Sequence, residues 1–170
     1  MSAEEDKENN EKVSGLEAYK IALETRNLEI GLFWQRSNYF LVLNAALAIG
    51  FFRLSDNKYS ILLACLGAFV SFLWFRVNLG SKYWQARWEH RLNKKENEIA
   101  SDLEFFSADS TTIQADVEAS FSHGANTKGK FQKWLEQQAL KKPSVSYNMT
   151  LLSLVFVATW GLLIIIKIFS

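Results

Sequence analysis

The sequence predicts an all-α integral membrane protein: three transmembrane helices, a tight hairpin plus a C-terminal span, with a helical cytoplasmic region. Three observations predict it. Charges are absent from residues 37–52, 59–75 and 144–166 and crowded everywhere else, so the mean hydropathy of −0.04 hides a sharply divided chain. Cations and aromatic rings border the charge-free stretches. The polar segments outside them carry apolar residues at helical spacing.

Taken in order, residues 1–13 (MSAEEDKENNEKV) are acidic and polar with nothing to bury, and read as a disordered tail. The first apolar run starts too late for a cleavable signal peptide. Residues 14–36 read as an amphipathic cytoplasmic helix. Ser14 with Glu17 has capping-box spacing, and Leu16, Tyr19, Leu23, Ile30 and Phe33 recur on one face. Its mixed charges suit packing on cytoplasmic neighbours better than a lipid surface.

Residues 37–80 form the transmembrane hairpin. Its charge-free stretches are 16 and 17 residues long, bounded by Arg36 and Arg53, then by Lys58 and Arg76. A crossing takes about 20 residues, and long cationic side chains at both ends reach back to the headgroups. Trp34, Tyr39, Tyr59, Trp74 and Trp84 supply the aromatic belt, so Trp34, Arg36, Arg53, Lys58, Trp74, Arg76 and Trp84 are the expected interface anchors. Leu54, Ser55, Asp56, Asn57 and Lys58 make the turn. Small residues one turn apart, Ala46 with Gly50, Ala64 with Ala68 and Gly67 with Ser71, mark close helix packing. Asn44, near the middle of the first span, either bonds to another helix, the preferred reading, or lines an aqueous path.

Residues 81–143 read as a cytoplasmic helical region. The second span continues as a helix with Trp88, Leu92, Glu96, Ile99, Leu103 and Phe106 on one face. Ser110 caps a second helix bearing Ile113, Val117 and Phe121, and SHGANTKGK is a loop. A third helix carries Phe131, Trp134, Leu135 and Leu140. Pro143 ends it and opens the last span in its first turn. Residues 144–170 form that span, with 23 uncharged residues before Lys167.

Lys and Arg number five in residues 1–36 and ten in residues 80–147, against Arg53 and Lys58 at the hairpin tip and Lys167 in the tail. By the positive-inside rule the N-terminus and residues 81–143 are cytoplasmic and the C-terminus is outside. A 63-residue cytoplasmic segment is too small to cover its own apolar faces, which predicts a homo-oligomer.

Chemistry is hard to find. One cysteine, Cys65, and two histidines build no four-ligand zinc site. His90 does not share a helix face with Glu89, and His123 sits in a loop. Glu96, Glu98, Asp102 and Glu104 read as a solvated face, not a metal cluster. Phosphate-binding, hydrolase and metalloprotease motifs are missing. Lys82, Trp84, Arg87, Trp88 and Arg91 suit an interfacial anchor rather than RNA, and a net charge of +1 gives no pull on polyanions. The reading is therefore non-enzymatic, with no cofactor, metal, nucleic acid or small-molecule ligand, and with membrane lipid and further copies of the chain as partners.

TRNLEIGLFWQRSNYF (residues 25–40), NLGSKYWQARWEHR (78–91) and KPSVSYNMTLLSL (142–154), with the two-plus-one spacing of apolar stretches, resemble the RipA family of octameric bacterial membrane proteins. The resemblance covers nearly the whole chain after residue 15. It implies a homo-octamer in the bacterial inner membrane and a link to growth inside host cells, and carries no site residues with it. The expected function is a scaffold or conduit. The alternative is a membrane pore-forming effector of a phage-defence or toxin system.

Overall fold

The computed structural model describes residues 3–54, 57–99, 104–122 and 129–169, with side chains from residue 14 onwards except Asn57. Among these residues all regular structure is helical, in five elements: α1 (Ala3–Arg53), α2 (Asn57–Ile99), α3 (Ser110–Ser122), α4 (Lys130–Ala139) and α5 (Val145–Phe169). The chain divides into two units. The polar unit is Met1–Arg26 with Arg87–Ser144, and the apolar unit is Asn27–Ala86 with Val145–Ser170.

Two helices, α2 and α5, are long and apolar enough to cross a membrane. By that criterion two spans are found where the sequence expected three, and α1 is the helix that falls short. The reason lies in composition: the 16 uncharged residues between Arg36 and Arg53 include Ser37, Asn38 and Asn44, which make this stretch less apolar than those of α2 and α5.

In the apolar unit the three helices meet along seams of period close to 3.5, the spacing of left-handed coiled packing. On α2 the seam is Ser60, Ala64, Gly67, Ser71, Trp74, Asn78, Ser81 and Gln85, in steps of three and four, with Val70 buried beside it. On α1 they are Phe33, Ser37, Asn44, Leu47 and Phe51, and on α5 Ser153 and Trp160. Small and polar side chains dominate the inside, while Val42, Ile49, Phe52, Leu62, Phe69 and Ile168 face outward. Polar pairs also tie α2 to α5: the Asn78 amide donates to the Met149 carbonyl at 3.1 Å and the Ser146 hydroxyl to Gln85 Oε1 at 3.1 Å.

Several boundaries differ from expectation. The backbone is helical from Ala3, where a disordered tail was expected, because a run rich in Glu and Lys prolongs an existing helix at little cost. Ser14 and Glu17 therefore lie inside α1 and cap nothing. The α3 cap is Asp109 rather than Ser110: Asp109 Oδ1 accepts the Thr112 N–H at 2.7 Å, the reach of an N-cap carboxylate to the third helical residue. Helix α2 ends by Ile99, so Phe106 sits in a turn and Leu103 lies outside the described residues. Pro143 precedes α5 by two positions, just outside its first turn.

Candidate functional site

Three helices of the apolar unit converge on one amide. The Asn44 side chain of α1 is 1% exposed, and its Nδ2 donates to the Phe40 carbonyl one turn back at 2.9 Å. That bond fixes the rotamer and turns Oδ1 toward the neighbouring helices. There Oδ1 accepts the Ser71 hydroxyl of α2 at 2.8 Å and the Trp160 indole N–H of α5 at 2.9 Å. Every strong polar atom of the junction is engaged, as burial in a low-dielectric interior demands.

Packing holds the indole in place. A Cβ at Gly67 would overlap the Trp160 ring, 2.8 Å from Cζ2 and closer to its fused edge, so only a glycine admits the indole at that point of α2. Phe51 meets Trp160 edge-on, with centroids 5.9 Å apart at 85°. In the adjoining layer Trp74 stacks on Phe40 (6.1 Å, 11°) and leans on Phe156 (5.8 Å, 55°). These pairs make α2 antiparallel to both α1 and α5.

The expected packing residues separate accordingly. Gly67 and Ser71 belong to the junction, Ala64 is fully buried and Ala68 half-buried. Gly50 lies against Leu63, and Ala46 is exposed, so the α1 row of small residues does not meet the α2 row glycine to glycine. Among the expected anchors, Trp34, Trp84, Arg53, Lys58 and Arg76 are exposed, and Arg36 is half-buried, 3.9 Å from Glu29. Trp74 is the correction. It is 0% exposed, because at its position the inward seam outranks the interface. Sequence reasoning missed Trp160. A Trp inside an aliphatic run needs an acceptor for its N–H, and that was the available signal.

The polar unit has its own buried anchor. Glu96, expected on a solvated face, is 1% exposed. Its carboxylate accepts the N–H groups of Phe105, Phe106 and Ser107 at 3.0, 2.7 and 2.9 Å. The chain can fold back onto it because Glu104 adopts the left-handed region, φ 49°. Asn93 donates to the Phe106 carbonyl at 2.8 Å, and the Arg26 guanidinium lies 5.4 Å from the centre of the Phe106 ring and 3.5 Å from Glu89. Burial pushes the Glu96 carboxyl up, yet the three backbone donors outweigh it and hold the group below its ordinary range. Burial and this carboxylate together push the Tyr19 phenol up. Glu98 instead pairs with Lys95 at 2.7 Å in solvent, Glu104 is exposed, and Asp102 lies outside the described residues. His90 and Cys65 are exposed, and His123 lies outside the described residues.

Both anchors do structural chemistry. An amide, a hydroxyl and an indole are neutral at physiological pH, and the carboxylate is held by three backbone donors and the Tyr19 phenol.

A family model, the octameric membrane protein family (8xMP), matches residues 16–169. No curated protein and no solved structure matches the chain.

Proposed function

Because the chain belongs to the octameric membrane protein family, we propose that it is the subunit of a homo-octameric, non-enzymatic scaffold of the bacterial inner membrane, crossing the bilayer three times. The observation that carries this reading is the Asn44 junction. The one central intramembrane amide is consumed by bonds within a protomer, which suits a closed bundle better than a polar conduit.

The same junction supports a third crossing by α1. Its residues 40–51 pack in one bundle with the candidate spans α2 and α5, at the depth of Ser71 and Trp160. Arg36 to Arg53 covers about 26 Å of helix and Lys58 to Arg76 about 27 Å, close to the roughly 30 Å hydrocarbon thickness. At the other end of α5, the Lys167 ammonium lies 6.0 Å from the Phe51 ring centre, near the Arg53 end of α1. The excess of Lys and Arg in residues 1–36 and 80–147 orients the N-terminus and residues 81–143 to the cytoplasm and the C-terminus to the periplasm. Outward-facing Leu, Ile and Phe side chains suit lipid and neighbouring copies.

Native mass spectrometry from mild detergent is expected to give eight subunits, and liposomes carrying the assembly are expected to hold a proton gradient as well as empty ones. Steady leakage from the protein-bearing liposomes would replace the scaffold by a pore.

A further inference from the structure

We infer that the exposed aromatic face of α4 is a subunit contact that docks on the outer side of α3 in the next copy of this chain; the inference rests on the octameric reading above. Helices α3 and α4 bury no residue, and ten residues of α4 are too few for a helix to stand on its own propensity. A groove of about 280 Å³ between them shows which sides face each other. Glu118, Phe121 and Ser122 line it from α3, Lys133, Glu136 and Gln137 from α4, and Leu140 from the cap that follows α4.

At 100° per residue the opposite side of α4 carries Phe131 and Leu135, with Trp134 on its flank; they are 71%, 46% and 51% exposed. The two rings stack, with centroids 5.9 Å apart at 20°. An amphipathic helix that turns its polar side inward and its rings outward is awaiting cover.

Geometry and charge select the cover. Subunits inserted in one membrane share one orientation, so an octamer closes about a single axis, and every contact joins two different patches. The side of α3 away from the groove offers such a patch: Ile113, 43% exposed, with Asp116 one turn on. Both charged residues of α3 are acidic, whereas Lys130 borders the α4 rings, so the two patches are complementary in charge. A lipid-seeking helix surrounds its apolar face with cations, but α4 has two Lys, one Glu and three Gln.

The test uses the full chain with Cys65→Ser. Ile113→Cys combined with Leu135→Cys is expected to give, on mild oxidation, a ladder of covalent species up to eight subunits, while either cysteine alone stops at two. Trp134→Asp is expected to reduce the octamer at least tenfold at equal concentration, Trp134→Phe to preserve it, and Lys130→Glu to weaken it until Asp116→Lys restores it. Unchanged helical circular dichroism separates lost contact from lost folding, since all five interface positions are exposed. If wild type is octameric, yet no ladder forms and Trp134→Asp still assembles, the inference falls while the octamer stands. Quenching of a fluorophore on Leu135→Cys by brominated lipid would also overturn it, assigning the face to lipid. A wild type that is not octameric removes the underlying reading itself.

Discussion

Each unit is organised around a buried polar side chain with several partners, and the two are used in opposite ways. Asn44 gathers partners 27 and 116 residues away, so it fixes the mutual register of three helices whose outer faces are mostly apolar. Glu96 gathers partners nine to eleven residues away, and so folds a local turn. The first anchor is neutral and the second charged. Register in the apolar unit is therefore indifferent to pH, while the polar unit carries a titratable dependence.

The most severe way to break this contrast is Gly67→Leu. The added side chain must displace the Trp160 indole, a rigid group with core on its other side, and overpacking of this kind costs about 3 kcal/mol. A large fall in the melting temperature of purified protein is expected, with the polar unit keeping its protease resistance. Glu96→Gln should do the reverse. It leaves a backbone N–H of residues 105–107 without an anionic acceptor, at about 2 kcal/mol, and limited proteolysis should cut near the turn first.

Acid sharpens the same distinction. The Glu96 carboxyl lies below its ordinary 4.5 in the folded chain, so the folded state holds the carboxylate better than the unfolded state does. That stabilisation is fully present above about pH 4.5 and is lost as pH falls through the lower folded value. Asp109 at the start of α3 is likewise held down, to about 2, chiefly by the Thr112 N–H. Relative to the intrinsic exchange rate at each pH, hydrogen-exchange protection is expected to fall at residues 105–107 on acidification while α2 around Ser71 stays protected, and an equal loss of protection at both would refute the contrast.

Asn44→Ala leaves the Ser71 hydroxyl and the Trp160 N–H without their acceptor, a smaller loss of about 1–2 kcal/mol in a membrane setting. Thermal melts of the single and double variants with Ser71→Ala should show less than additive effects. At the bottom of the scale, Leu62→Phe on the outer face, 65% exposed, should leave the protomer melt unchanged.

What could be read from sequence follows the same division. Uncharged stretches and small-residue rows disclose the helices of the apolar unit, and a lone Asn in an apolar run discloses a hydrogen-bonding need. They do not disclose the partner: Trp160 lies 116 residues from Asn44, and nothing local to either names the other. Trp74 and Trp84 look alike as belt residues in sequence, and only the 3.5-residue seam on α2 separates the buried one from the exposed one. Glu96 was hidden more deeply. A glutamate among lysines on a helix has the composition of a solvated face, and its burial depends on a chain reversal at Glu104, a non-glycine residue with positive φ. The acidic start of α1 misled for a simpler reason, since a segment with nothing to bury can still extend a helix already formed.

The 116-residue span between Asn44 and Trp160 also sets a clock during synthesis. Ser71 leaves the ribosome early and can engage the amide as a hairpin forms. The indole follows about ninety residues later, which at roughly 5–20 residues per second is a wait of about 5–20 s. Throughout that interval the groove in α2 at Gly67 stands open beside nascent chains of the same kind, and a helix from a neighbouring polysome is as well placed to enter it as the chain's own last segment. Order of emergence, as much as final packing, therefore governs which α5 each hairpin receives.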